Sequence, residues 1–157
     1  MTAGNASTDG LIRLSAADAD DLVVLSSLLQ DAVVAIADMA WLSGEGSFVL
    51  VAARFRWETL DRAARGAGRP AGERINCGLR IQRVRKVRMR GIDRTRAGTT
   101  LELSALRHQD GALLLVFAGG AVVRLEVDAI LCHLEDFGAP WPTQFRPDHG
   151  LDAVEPG

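Results

Sequence analysis

Nine basic side chains crowd one stretch of this chain: Arg74, Arg80, Arg83, Arg85, Lys86, Arg88, Arg90, Arg94 and Arg96, with Asp93 as the only acid among them. Guanidinium groups meet phosphates and carboxylates through paired, planar hydrogen bonds, so such a run is suited to recognising anions rather than to making or breaking bonds. On an unbroken strand from Leu79 to Arg90, the residues Arg80, Gln82, Val84, Lys86, Arg88 and Arg90 share one face and form a basic ridge. The opposite parity carries Leu79, Ile81, Val87 and Met89 but also Arg83 and Arg85, which must snorkel, pair with acids or sit at a bulge. Arg80, Lys86, Arg88, Arg90 and Arg94 are therefore the candidate partner-binding residues. The competing expectation is a ridge that faces solvent or pairs within the domain, for instance with Asp18, Asp20 and Asp21. Trp141, set between Pro140 and Pro142, is a sixth candidate, as an exposed anchor or as a plug that pins the tail.

Residues suited to other chemistry are scattered. His108, His133 and His149 form no H-x-x-x-H or H-E-x-x-H pair, and Cys132-His133 on a helix point about 100° apart, so no metal or cofactor is expected. No G-x-S-x-G elbow is present, and Gly44-Glu45-Gly46 and Gly66-Ala67-Gly68 lack the further glycines and the lysine of a phosphate loop. The carboxylate pairs Glu126/Asp128 and Glu135/Asp136 fall at expected element ends, where capping and solvation account for them. Cys77 and Cys132 have no paired spacing and are expected reduced and buried, in the cytoplasm. A net charge of −2 gives no global pull toward an anionic partner, so any such affinity must be local. Leu22 to Leu42 is too interrupted by polar residues to cross a membrane, and Met1 to Gly10 has no signal-peptide pattern.

These residues need a scaffold, and 157 residues with 48% hydrophobic content suffice for one domain with one core. The expected plan is a tail at 1–10, a single α+β domain at 11–142 and a polar tail at 143–157. A short strand at Leu11–Leu14 precedes a helix over about Ala16–Gln30, capped by Ser15 and Asp18 and bearing Leu22, Leu25, Leu28 and Leu29 on one stripe. Strands follow at 32–42 and 47–57, joined by Ser43-Gly44-Glu45-Gly46, with Phe55 and Trp57 on one face and Arg54 and Arg56 on the other. A short helix at 58–65 and a glycine-punctuated connection lead to a meander at 75–90, 99–107, 112–118 and 121–127. Asp128 then reads as the N-cap of a C-terminal helix, with Ile130, Leu131, Leu134 and Phe137 on its apolar face and Gly138 at its end. Six to seven antiparallel strands flanked by an N-terminal and a C-terminal helix resemble a pleckstrin-homology-like barrel in element order, and equally fit an open curved sheet. Trp41 and Trp57 are expected in the core.

In combination, Leu29-Gln30-Asp31-Ala32-Val33, Phe48-Val49-Leu50-Val51, Arg54-Phe55-Arg56-Trp57-Glu58, Arg90-Gly91-Ile92-Asp93-Arg94 and Val116 to Leu125 resemble an uncharacterised bacterial family catalogued as domain of unknown function 2948. The likeness spans about Leu11 to Asp148. It implies a bacterial, cytosolic origin and carries no activity, cofactor or catalytic residue to any position here. The function expected from the residues is a non-enzymatic module that docks a protein partner or a second copy through the sheet and its basic strand. RNA binding by the same strand is the alternative, although no aromatic lies between Glu58 and Val116 to stack on bases. An unrecognised enzyme is the third, for which His108 or His133 beside a carboxylate in a deep pocket would be the sign.

Overall fold

The computed structural model describes residues 11–59 and 72–143. Ten strands form one antiparallel sheet: β1 (Arg13–Ala16), β2 (Ala32–Ala35), β3 (Met39–Leu42), β4 (Ser47–Phe55), β5 (Gly72–Ile81), β6 (Val84–Arg90), β7 (Thr100–Gln109), β8 (Ala112–Phe117), β9 (Val122–Val127) and β10 (Cys132–Thr143). Among the described residues there is one α-helix, α1 (Ala19–Leu28). The strand order is β1-β10-β5-β4-β2-β7-β8-β9-β6, with β3 on β4. Because β6 continues β5 after only Gln82 and Arg83, the sheet curls until its far end is the direct extension of a strand near its beginning.

Three expectations are corrected. The sheet has ten strands rather than six to seven. The C-terminal helix does not exist: residues 132–143 form β10, so the pleckstrin-homology-like plan, which needs that helix, falls with it. Period two wins over period 3.6 here because Cys132, Leu134 and Asp136 all point inward and are buried. Gly138, read as a helix end, instead takes φ +77 in a bulge between Phe137 and Trp141. Pro140 and Pro142 are tolerated because β1 pairs only with Cys132–Glu135, which leaves this half of β10 with β5 alone as neighbour. The third correction concerns the basic strand, which is broken at Arg83, where φ is +64.

Elsewhere the reading needs adjustment of bounds. α1 starts later than expected: Ser15 and Ala16 belong to β1, and Asp18 is the N-cap, accepting from the Asp21 amide at 2.8 Å while Asp21 accepts from Ala17. The strand expected at 32–42 is interrupted by a 3-10 turn at Ile36–Asp38. The expected helix at 58–65 and the glycine connection lie outside the described residues, except for a 3-10 turn at Trp57–Thr59 and Gly72 in β5. So do the two tails, except for Thr143, which closes β10.

Leu22, Leu25 and Leu29 press into the inner face of the sheet, joining Phe48, Leu79, Ile81, Leu103, Leu113, Leu115 and Leu134 in one apolar cluster. The most unusual member of the interior is charged. On β4 the inward parity is Phe48, Leu50, Ala52 and Arg54, and the Arg54 side chain has no exposure to solvent. It reaches diagonally past β5 to Asp136 on β10, with Nε to Oδ1 and one terminal nitrogen to Oδ2, both at 2.8 Å. Its outer nitrogens hold Glu58 at 3.0 and 2.7 Å. Burial alone would lower the Arg54 pKa, and the hydrogen bonds to Asp136 and Glu58 reverse this and hold it above its ordinary value. Asp136 also takes the Ile12 amide at 3.0 Å and thereby fixes the entry to β1. The outward neighbour, Phe55, is sealed from water by Trp57, whose ring lies 4.6 Å away, and by Arg74. Trp57 is thus a half-buried lid on the outside of the sheet rather than a core residue, and Trp41 is half-buried against the core.

Removing one partner of a buried ion pair leaves the other charge uncompensated, at a cost of about 3 kcal/mol or more, whereas replacing both by apolar groups is close to neutral. Asp136→Asn is therefore expected to lower unfolding free energy in urea by about 3 kcal/mol, and Arg54→Met with Asp136→Leu to recover most of it. A loss below about 1 kcal/mol for the single substitution would contradict the role given to this pair.

Candidate binding face

The half of the sheet formed by β7, β8, β9 and β6 presents its outer surface as three cross-strand rows. Register places Arg107, Leu114, Arg124 and Arg88 in one row; Ala105, Val116, Val122 and Arg90 in the next; and Gln109, Ala112, Glu126 and Lys86 in the third. Directly opposed residues of antiparallel strands share a face, so five cations share this face with a patch of Leu114, Val116 and Val122, and Glu126 is the only acid in the three rows. Lys86, Arg88, Arg90 and Arg107 are exposed, and Arg124 is half-buried. A groove of about 600 Å³ runs over this surface, lined by Arg88, Met89, Arg90, Gln109, Leu114, Val122 and Arg124.

Arg88 and Arg124 face each other directly across β6 and β9, an arrangement that like charges disfavour. Among the described residues neither takes part in an ion pair, and the same holds for Arg90 and Arg107. The Asp18, Asp20 and Asp21 cluster is not joined to them: Asp18 and Asp21 serve the start of α1, which packs on β7 and β1.

The bend at Arg83 decides which of the sequence candidates meet. Before it, Leu79 and Ile81 point inward and Arg80 outward, as alternation requires. The left-handed residue and a bulge between Val84 and Lys86 then reset the alternation, so that Val84 turns inward while Arg83 and Arg85 stay in solvent. Lys86, Arg88 and Arg90 come together on the outer face. Arg80 does not join them; it pairs with Glu45 at 3.4 Å and Ser47 at 3.0 Å on another part of the sheet. Arg85 is held by Asp128 at 2.7 Å, and Arg94 sits in the exposed turn after β6. Trp141 is 37% exposed opposite Arg74, on a strand far from β6 in the order of the sheet. Arg107 and Arg124 complete the face and are absent from the sequence candidates. Their signal was the register set by the Asp110-Gly111 hairpin, whose two turn residues take φ +52 and +74, the signature of a two-residue turn that pins Arg107 opposite Leu114.

His133 and the two cysteines are committed to structure. His133 lies in a second, open groove of about 560 Å³ with Arg80, Glu135 and Phe137, but its Nδ1 is 2.9 Å from Ser15 Oγ and its Nε2 is 2.9 Å from Gln82 Oε1. Both ring nitrogens are therefore occupied in tying β1 and the β5–β6 corner to β10. His108 is exposed at the end of β7. Burial pushes the thiols of Cys77 and Cys132 up to about 12, which leaves neither a nucleophile near neutral pH. Among the described residues no group of three His, Cys, Asp or Glu side chains could hold a metal ion, and no helix is long and apolar enough to cross a membrane.

Since Arg88 and Arg90 make no ion pair among the described residues, Arg88→Glu with Arg90→Glu is expected to leave the melting temperature within a few degrees of the parent, or to raise it by relieving repulsion. A large drop would show that these arginines hold the fold together rather than stand free for a partner.

A family model described as a protein of unknown function, DUF2948, matches residues 12–149. No curated protein and no solved structure matches the chain.

Proposed function

The chain belongs to this family of unknown function, and from its basic sheet face we propose that it is a non-enzymatic interaction module that docks an acidic surface of a protein partner. The observation that carries this reading is the direct opposition of Arg88 and Arg124 with no carboxylate among the described residues paired to either, flanked by Arg90 and Arg107. Opposed, unneutralised arginines cost stability in the isolated chain and are relieved by an anion that binds between them. The aliphatic patch of Leu114, Val116 and Val122 beside these cations favours a polypeptide, which supplies apolar side chains along with carboxylates. A nucleic acid would be better served by aromatic rings on which bases stack, and this face has none. A second copy docked through the same face would set cation against cation, so the partner is a different protein. The free, buried thiols of Cys77 and Cys132 accord with a reducing compartment, and we place the module in the cytoplasm.

The reading is tested by fluorescence anisotropy with a short peptide mixing glutamate and leucine, and with an oligouridine of equal charge, at matched salt. The peptide is expected to bind and to lose about tenfold in affinity on Arg88→Glu with Arg124→Glu, as two charge contacts become repulsions. Oligouridine binding more tightly than the peptide, and losing its affinity in the same variant, would overturn the protein-partner reading in favour of RNA.

A further inference from the structure

The sheet ends at β6, and its open edge adjoins the basic face. Among the described residues three strands have only one neighbour: β1 and β3, of four residues each, and β6, of seven. In an antiparallel strand alternate residues direct their amide and carbonyl to one side, so half of the β6 backbone points away from β9. Val84 finds the Gly46 carbonyl at 2.9 Å, but for Lys86 to Arg90 no backbone hydrogen bond other than those to β9 occurs among the described residues. The exposed stretch is bounded by the bulge at Val84/Lys86 and by Gly91, whose φ of +75 and close approach to Ala121 end the strand.

An edge of this kind is a template for another strand, and proteins commonly guard it with charge. Lys86, Arg88 and Arg90 do guard it against a second copy, because antiparallel pairing of two β6 strands would oppose cation to cation. The same charges invite an acidic strand. Resting on the proposed function, we infer that the partner segment is an extended acidic peptide that adds to the sheet along Lys86–Arg90 by main-chain hydrogen bonding. Its alternate residues fall in two environments. Those on the outer face lie beside Lys86, Arg88 and Arg90 and take carboxylates. Those on the inner face lie beside Val87 and Met89, which are half-buried against the core, and take aliphatic side chains. The recognised pattern is therefore acidic and β-branched residues in strict alternation, read by the backbone and by two rows of side chains.

The inference is tested with a synthetic peptide alternating glutamate and valine, its permuted counterpart of equal composition, and versions N-methylated on one or the other set of alternate amides. Binding is followed by anisotropy, and β6 amide exchange by mass spectrometry. Strand addition requires the alternating peptide to bind more tightly than the permuted one. One N-methylated version, but not the other, must lose about tenfold or more, and exchange must slow within 86–90. Equal binding of all the peptides, still lost on Arg88→Glu with Arg90→Glu, would overturn strand addition and leave the basic face as the docking site. If no acidic peptide binds the parent protein, both the strand inference and the acidic-partner reading fail.

Discussion

A guanidinium with no contact with water stands at one end of this sheet, and much of the architecture is organised to keep it satisfied. Arg54 is charged under all ordinary conditions, so its burial is tolerable only if its donors meet acceptors. Asp136 and Glu58 each present both carboxylate oxygens to it, the first from β10 and the second from the turn just beyond β4. That requirement fixes β10 against β5 with Asp136 inward, draws the chain before β1 onto Asp136 through Ile12, and places the 3-10 turn at Trp57–Thr59 so that Glu58 can fold back. The same turn lays Trp57 over Phe55, with the indole donating to the Gln30 carbonyl at 3.2 Å. An apolar pair would pack there at no greater cost, so the charge is best understood as selecting one register of β4, β5 and β10 over its slips.

The opposite region of the sheet obeys a different constraint. A strand that ran straight from Gly72 to Arg90 would put Arg83 and Arg85 on the buried parity beside Ile81 and Val87. The left-handed residue at Arg83 and the bulge after Val84 avoid this by inserting a break in the alternation, at the modest expense of one non-glycine residue at positive φ. The bend also swings the chain from between β4 and β10 to beside β9, which carries Lys86, Arg88 and Arg90 opposite Arg124 and near Arg107. Cations from three strands are thereby assembled on one face from a sequence whose net charge is close to zero.

Much of the sheet was legible in the sequence because its strands alternate or end in recognisable turns: β4, β7, β8 and β9 follow from β-branched runs and from Asp110-Gly111. The C-terminal helix was misread because Asp136 interrupts the inward apolar pattern of Cys132 and Leu134. A carboxylate at a core position gives no hydrophobic signal, and its partner Arg54 lies far away in the chain. Arg54 itself was taken for the polar face of β4, since Phe55 and Trp57 are the more apolar neighbours, yet they pack on the outside. Of the basic face, Lys86, Arg88 and Arg90 were legible from local composition. Arg80 was grouped with them because the bend at Arg83 leaves no mark in composition, and Arg94 because it belongs to the same basic run although it lies beyond the expected end of the strand. Arg107 was within reach through the register of the Asp110-Gly111 hairpin, whereas its meeting with Arg124 and Arg88 depends on the pairing of β9 with β6, which is a tertiary fact.

The central claim is that the β7–β8–β9–β6 surface, and not the groove around His133, Glu135 and Phe137, meets the partner. Amide chemical-shift mapping of the isotopically labelled chain, titrated with an acidic peptide, measures this directly. The account predicts shifts concentrated at residues 86–90, 105–109, 112–116 and 122–126, with those at 49–51, 76–80 and 133–137 unmoved. Shifts centred on the second set, with the arginine strands silent, would contradict it.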